Sequence, residues 1–201
     1  MPEIEEVLAA NEKYVESFGY RANLDGKPSE RLAVLTCMDS RIEPKQVLGL
    51  ELGDANIIRN AGARVTEGTM RSLIASTKML GVDTIFILHH TNCGMAQRTD
   101  EEVIAHVSEG VEGGEEIAEE IDWSSIISEP EALIEDVHNV RANPLISSDI
   151  PIYGMLMDIE TGAIIEVPEA IDLGTSQQVA DYYCQIQRMG RHPRRESPLR
   201  L

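Results

Sequence analysis

Apolar positions along the chain fall into two rhythms. Short unbroken apolar runs alternate with stretches in which apolar side chains recur every three or four residues. The runs at 32–35 (LAVL), 56–59 (NIIR) and 83–90 (DTIFILHH) are dense enough for strands buried on both faces. Helical spacing appears first at 3–18, where Ile4, Val7, Leu8, Tyr14, Val15 and Phe18 share one face and Gly19 ends the segment. A short helix is expected in EPKQVLGLEL, with Pro44 near its start. The clearest helix is 66–80, lined by Met70, Leu73, Ile74, Thr77 and Leu80 and closed by Gly81. Between about 96 and 140 the pattern predicts helices broken at Gly110, Gly113–Gly114 and Pro130. The last pattern, IPIYGMLMDIETGAIIEV, reads as two strands joined at Glu160-Thr161-Gly162.

Strand, helix, strand, helix, strand is the order of βαβ units. The fold class expected is therefore α/β, with a mainly parallel sheet and an added C-terminal hairpin strand. The length of 201 residues suits one domain spanning 1–201, with a helical section around 97–140. There is no internal repeat and no low-complexity linker.

In such a sheet, reactive groups collect at the carboxyl ends of the strands. The first strand runs into Cys37-Met38-Asp39-Ser40-Arg41, and the third into His89-His90-Thr91-Asn92-Cys93-Gly94. Cys37, His90 and Cys93 form a Cys₂His set, the ligand count of a catalytic zinc site with one position open. Two soft thiolates and an imidazole favour zinc over magnesium, calcium or manganese. Each residue also has a plainer reading: a cysteine ending an apolar strand is often a small buried hydrophobe, and Asp39 with Arg41 can be a simple ion pair. Strand alternation puts His89 on the face opposite His90, in a structural role. Cys184, in VADYYCQIQ, reads as a helix-core residue.

Charge changes the picture of partners more than of chemistry. The chain has 35 Asp plus Glu against 17 Lys plus Arg, a formal balance of −18. That balance argues against nucleic acid or an anionic membrane as a main partner. Fourteen of the acids, and no Lys or Arg, lie between Asp100 and Asp136. This stretch reads as a solvated insertion outside the chemistry or, alternatively, as adaptation to high salt. Basic residues instead gather at the end: Arg188, Arg191, Arg194, Arg195 and Arg200. No signal-peptide pattern or membrane-length apolar run is present, and three cysteines do not make a disulfide framework, so a cytoplasmic protein is expected.

The residues at the strand ends resemble the β-class carbonic anhydrases. That family's marks are Cys-x-Asp-x-Arg, here Cys37, Asp39 and Arg41, and His-x-x-Cys, here His90 and Cys93. The intervening Arg59-Asn60-Ala61-Gly62 is similar to the family's Arg-Asn-Ala-Gly loop. The likeness is close over about 30–96, and points to the small bacterial and archaeal branch that also contains carbonyl sulfide and carbon disulfide hydrolases.

The resemblance implies an α/β/α fold and a homodimer or higher homo-oligomer with one Zn²⁺ per chain near the subunit interface. It implies reversible hydration of carbon dioxide to bicarbonate by a zinc-bound hydroxide. Asp39 would accept that hydroxide's hydrogen bond, and Arg41 would hold Asp39 ionised; in part of the family the aspartate can instead close the fourth zinc position. The Gln, Phe and Tyr that flank substrate in the plant-type branch have no counterpart assigned in this chain. Hydrolysis of carbonyl sulfide (COS) or carbon disulfide (CS2) at the same site is the nearest alternative, and a non-catalytic zinc-binding module a more distant one. His106 and His138 are candidate proton shuttles, each with an ordinary exposed histidine as its plainer reading. No strand is followed by GxGxxG or a P-loop, which argues against nucleotide binding.

Overall fold

Five apolar or alternating segments pair into one sheet, and their order explains where the chemistry sits. The computed structural model describes residues 3–96, 98–172 and 174. The strands are β1 (Leu32–Cys37), β2 (Ala55–Asn60), β3 (Thr84–His90), β4 (Ile152–Met157) and β5 (Ile164–Asp172). Their order across the sheet is β2-β1-β3-β4-β5. The first four run parallel, and β5 returns antiparallel to β4. The hairpin turns on Asp158, whose carbonyl accepts the Gly162 N–H at 2.8 Å, with Gly162 in the left-handed region at φ 75°.

β1 and β3 are central and carry the densest apolar runs. Every residue of β1 is buried, and Ala33, Leu35, Ile85 and Ile87 enter the main core. β2 departs from the sequence expectation of a buried strand. It lies at the sheet edge and is only half-buried, because a neighbour covers one side of its backbone ladder alone. An apolar run marks contact with a core, but it does not count the strands on either side.

Among the described residues, six α-helices connect and cover the sheet: α1 (Ile4–Glu16), α2 (Pro44–Leu48), α3 (Glu67–Met79), α4 (Asp100–Ser108), α5 (Gly114–Glu119) and α6 (Glu129–Ala142). α3 begins where Thr66 accepts the Thr69 N–H through its side chain, a sequence-local N-cap. Its buried line is Thr69, Leu73 and Ser76, displaced by about one position from the fully apolar line. The two hydroxyls are satisfied by β2: Asn60 Nδ2 donates to Thr69 and Asn56 Nδ2 to Ser76. Pro130 sits in the first turn of α6 and so marks a helix start. α6 seals the core with Leu133, Val137 and Val140. α1 is the exception among the longer helices, since none of its residues is buried. Among the described residues, no helix is long and apolar enough to cross a membrane.

The architecture is thus α/β with a central, mainly parallel sheet and a C-terminal antiparallel strand, as the alternation of patterns predicted. Cys184, read from the sequence as a helix-core residue, and the C-terminal arginines lie outside the described residues.

Candidate metal centre

β1 and β3 are adjacent and parallel, so their carboxyl ends open at the same rim. Cys37 is the last residue of β1 and His90 the last of β3. Beyond His90 the chain turns through Asn92, which adopts φ 53°, a left-handed conformation that asparagine tolerates better than most side chains. The turn brings Cys93 back beside His90. The ligand atoms of Cys37, His90 and Cys93 all lie within 4.8 Å of one another, and all three residues are buried.

This donor set fits a zinc ion by two independent observations. The Cys37 and Cys93 sulfurs are 3.9 Å apart. Two thiolates bound tetrahedrally at 2.3 Å would stand about 3.8 Å apart. On His90, Nδ1 lies 2.9 Å from the Thr91 carbonyl, which can only accept, so the ring proton sits there. Nε2 is left as a buried lone pair without a hydrogen-bond partner. A buried acceptor facing two thiols is stabilised when a cation fills the space between them.

The electrostatics point the same way. The Cys37 thiol is lowered to about 4, chiefly because Cys93 hydrogen-bonds to its sulfur; burial opposes this, while His90 and the backbone N–H groups of Asp39 and Gly62 assist. Cys93 is pushed upward, first by its bond to Cys37 and then by burial. Their short contact thus shifts the two thiols in opposite directions. Burial works against the His90 imidazolium, yet the Cys37 thiolate, the Thr91 carbonyl and Asp39 together raise its pKa.

Asp39 and Arg41 stand at the exposed side of this group. Oδ1 of Asp39 accepts the Arg41 backbone N–H and Nε at 2.9 Å each, and Oδ2 accepts Nη2 at 2.7 Å. The Arg41 side chain, followed by its backbone N–H, holds the carboxyl well below the usual carboxylate range. Oδ2 is also 3.9 Å from His90 Nε2. The carboxylate is thus at the rim of the donor set while bound to Arg41.

Motif reading brought these five residues together but gave no role to the groups that hold them. Arg59 donates from Nε to the Cys37 carbonyl at 3.0 Å and from Nη2 to the Asp39 carbonyl at 2.7 Å, fastening the strand end. Gly62 adopts φ 76°, and a Cβ there would lie 3.2 Å from Ile126 Cδ1 and 3.3 Å from Arg64 Cγ. Only glycine brings the loop this close while aiming its N–H at the Cys37 sulfur. The Arg-Asn-Ala-Gly string was the available signal. His106 and His138 are exposed on α4 and α6, outside the three-residue group. His89 faces away from it and meets Asp136 instead.

Known proteins resemble this chain in sequence and fold. A family model described as carbonic anhydrase matches residues 32–164. Beta-carbonic anhydrase 1 of Mycobacterium tuberculosis is 34% identical over 167 residues, which cover 81% of this chain and 96% of that protein. A carbon disulfide hydrolase of Acidianus sp. (strain A1-3) is 33% identical over 179 residues, covering 79% of this chain and 87% of that protein. The crystal structure of carbonic anhydrase from Streptococcus mutans superposes with a TM-score of 0.74 at 39% identity, covering 83% of this chain and 98% of that one.

Proposed function

The chain belongs to the β-carbonic anhydrase family, and from that premise we propose that it catalyses reversible hydration of carbon dioxide to bicarbonate and a proton. Cys37, His90 and Cys93 would hold the zinc ion, with Asp39 and Arg41 as catalytic residues. The observation that carries this reading is the convergence of three buried donor atoms within 4.8 Å, beside a carboxylate that does not belong to the set. Bound there, zinc would supply Lewis acidity to activate a water molecule.

The remaining work falls to the chain's own side chains. Two thiolates offset the charge of a divalent cation, whereas three imidazoles would leave it intact, so the attacking water needs further help. Asp39 provides it by accepting a hydrogen bond from the attacking oxygen, which turns a lone pair toward the carbon of carbon dioxide. Because Arg41 keeps its carboxyl ionised, Asp39 remains an acceptor at neutral pH and does not retain the released proton. Arg59 fixes the Cys37–Asp39 backbone and the Gly62 N–H holds the Cys37 sulfur, so the orienting group and one ligand move together.

A second reading is supported by the carbon disulfide hydrolase relative. Attack on the central carbon of CS2 or COS starts with the same displacement of electrons and gives a thiocarbonate, whose C–S bond then breaks to release hydrogen sulfide; CS2 takes up a second water by way of COS to reach carbon dioxide. Steady-state turnover of CO2, COS and CS2, with zinc measured in the same preparation, tests both readings. Dominant CO2 hydration supports the first. Dominant COS or CS2 hydrolysis replaces it with the second. Fully zinc-loaded protein inactive on all three would leave a zinc-binding module.

The same reading takes the protein as a homodimer or larger homo-oligomer in the cytoplasm. The apolar side chains of α1 support association: Ile4, Val7, Leu8, Tyr14 and Val15 are exposed in the single chain. A reducing compartment keeps Cys37 and Cys93 available as thiolates.

A further inference from the structure

Behind the sheet face opposite His90 lies a buried ionic cluster that the reaction does not use. His89 and Asp136 are each 1% exposed, and His89 Nε2 is 3.1 Å from Asp136 Oδ2. The same oxygen forms an ion pair with Arg64, 2.9 Å from an Nε that makes no hydrogen bond, and Oδ1 accepts the Val65 N–H at 3.0 Å. Arg64 has a side chain only 9% exposed and reaches onward. Its Nη2 donates to Glu135 at 2.6 Å, and its Nη1 to the carbonyls of Ser124 and Ser125 at 3.3 and 3.5 Å.

Two lines run from this carboxylate to the ends of the His90-x-x-Cys93 span. One passes through His89 into the last turn of backbone before His90. The other passes through Arg64 and Ser125 to Ile126, whose N–H donates to the Met95 carbonyl at 3.0 Å. Ile126 also bridges to Ala96, and it is buried in the same apolar cluster as Cys37 and Cys93. Arg64 itself lies two residues after Gly62, whose N–H meets the Cys37 sulfur.

Packing alone does not account for a charge at this position. α6 already seals the core through Leu133, Val137 and Val140, and an apolar residue in place of Asp136 would avoid the cost of burying an ion. What an apolar residue cannot do is fix three segments in one register by directed bonds. We propose that Asp136, supported by Arg64, is a positioning residue for the metal centre: it presets the separation of His90 and Cys93 through His89 on one side and the 124–126 segment on the other. The inference rests on the reading that Cys37, His90 and Cys93 hold a metal.

The test compares cobalt- and zinc-loaded wild type with Asp136→Asn, His89→Leu and His89→Gln, each checked for folding by circular dichroism. Asp136→Asn turns an acceptor into a group that presents a donor to His89 and Arg64. His89→Leu removes the bond, and His89→Gln restores a donor close to the position of Nε2. Competition with a chelator should show metal affinity at least about tenfold weaker in Asp136→Asn and His89→Leu, with altered cobalt absorption bands. His89→Gln should return both toward wild type. Glu135→Gln, on the exposed arm of the cluster, should change neither. Wild-type affinity and cobalt spectra in both Asp136→Asn and His89→Leu would overturn the proposal. Should Asp136→Asn not fold, the His89 pair decides, since it leaves Arg64 and Asp136 together. Wild type that binds neither metal would instead overturn the metal reading itself.

Discussion

Replacing Asp39 by asparagine changes one charge and almost no volume, which makes it the cleanest probe of the proposed chemistry. The three donor side chains are untouched, so Asp39→Asn should retain its full zinc content. Its turnover should nevertheless fall by about two orders of magnitude or more, the scale on which removing one preorganised polar group acts. A near-normal rate with stoichiometric zinc would show that another group orients the nucleophile. Cys37→Ala separates the roles from the other side: with only two donors left, zinc content and activity should be lost together. Equal activity with unchanged zinc in that variant would remove Cys37 from the site. At this scale the sequence was informative because each motif is local. Cys37, Asp39 and Arg41 span five positions, and His90 and Cys93 span four. Arg64 and Asp136 were not legible, because His89 and Asp136 are 47 residues apart and nothing in either neighbourhood advertises the other. Asp136 in particular was hidden as the last of fourteen acids in a stretch whose composition suggested only a solvated coat.

At the scale of elements, α6 carries two functions that point mutations can pull apart. Leu133 is fully buried against the sheet, so Leu133→Ala should lower global stability by about 2–5 kcal/mol in denaturant titrations. Metal affinity of the folded fraction should change little, the reverse of what is expected for Asp136→Asn. A matched loss of metal affinity in Leu133→Ala would mean that packing, and not directed bonds, sets the centre. The entry to the β2 edge offers a pH test. Asp54 is partly exposed, and its carboxyl is held below the usual range first by the Glu51 backbone N–H and then by the Ser29 hydroxyl. A carboxylate whose pKa is depressed on folding stabilises above its unfolded pKa, and that contribution disappears as pH falls through the folded value. The Tm of Asp54→Asn should therefore lie slightly below wild type at pH 6–7 and converge with it below about pH 4, where the unfolded carboxyl protonates. A constant difference across that range would exclude the charge as its source. Helix and strand identities were readable from spacing, caps and turn residues such as Thr66, Pro44 and Gly162. The edge position of β2 was not, because its apolar run resembles that of a strand flanked on both sides.

For the whole molecule, the unresolved balance is between α1 and charge. A 13-residue helix with no buried side chain is marginal by itself in water, and α1 leaves Ile4 and Val15 more than 60% exposed. If a second copy covers this face, two charges placed on it should separate the copies without touching the metal centre. Sedimentation velocity should show wild type as a dimer or larger at micromolar concentration, and Leu8→Glu/Val15→Glu as a monomer that remains folded. The polar side of α1 holds Glu5, Glu6, Glu12 and Glu16 against Lys13, and each chain brings a formal charge of −18 to the encounter. Like-charged copies repel over about 10 Å at 0.1 M salt and over much less at molar salt, so wild-type association should strengthen as salt rises. The same titration bears on the acidic stretch. A thermal stability that climbs steeply with salt would support adaptation to a saline interior, while equal stability in low and molar salt would leave the acids as a solvated surface with Asp136 as its one buried exception among them. Wild type sedimenting as a monomer at every salt concentration would leave α1 without its proposed cover and remove the homo-oligomer from the functional reading.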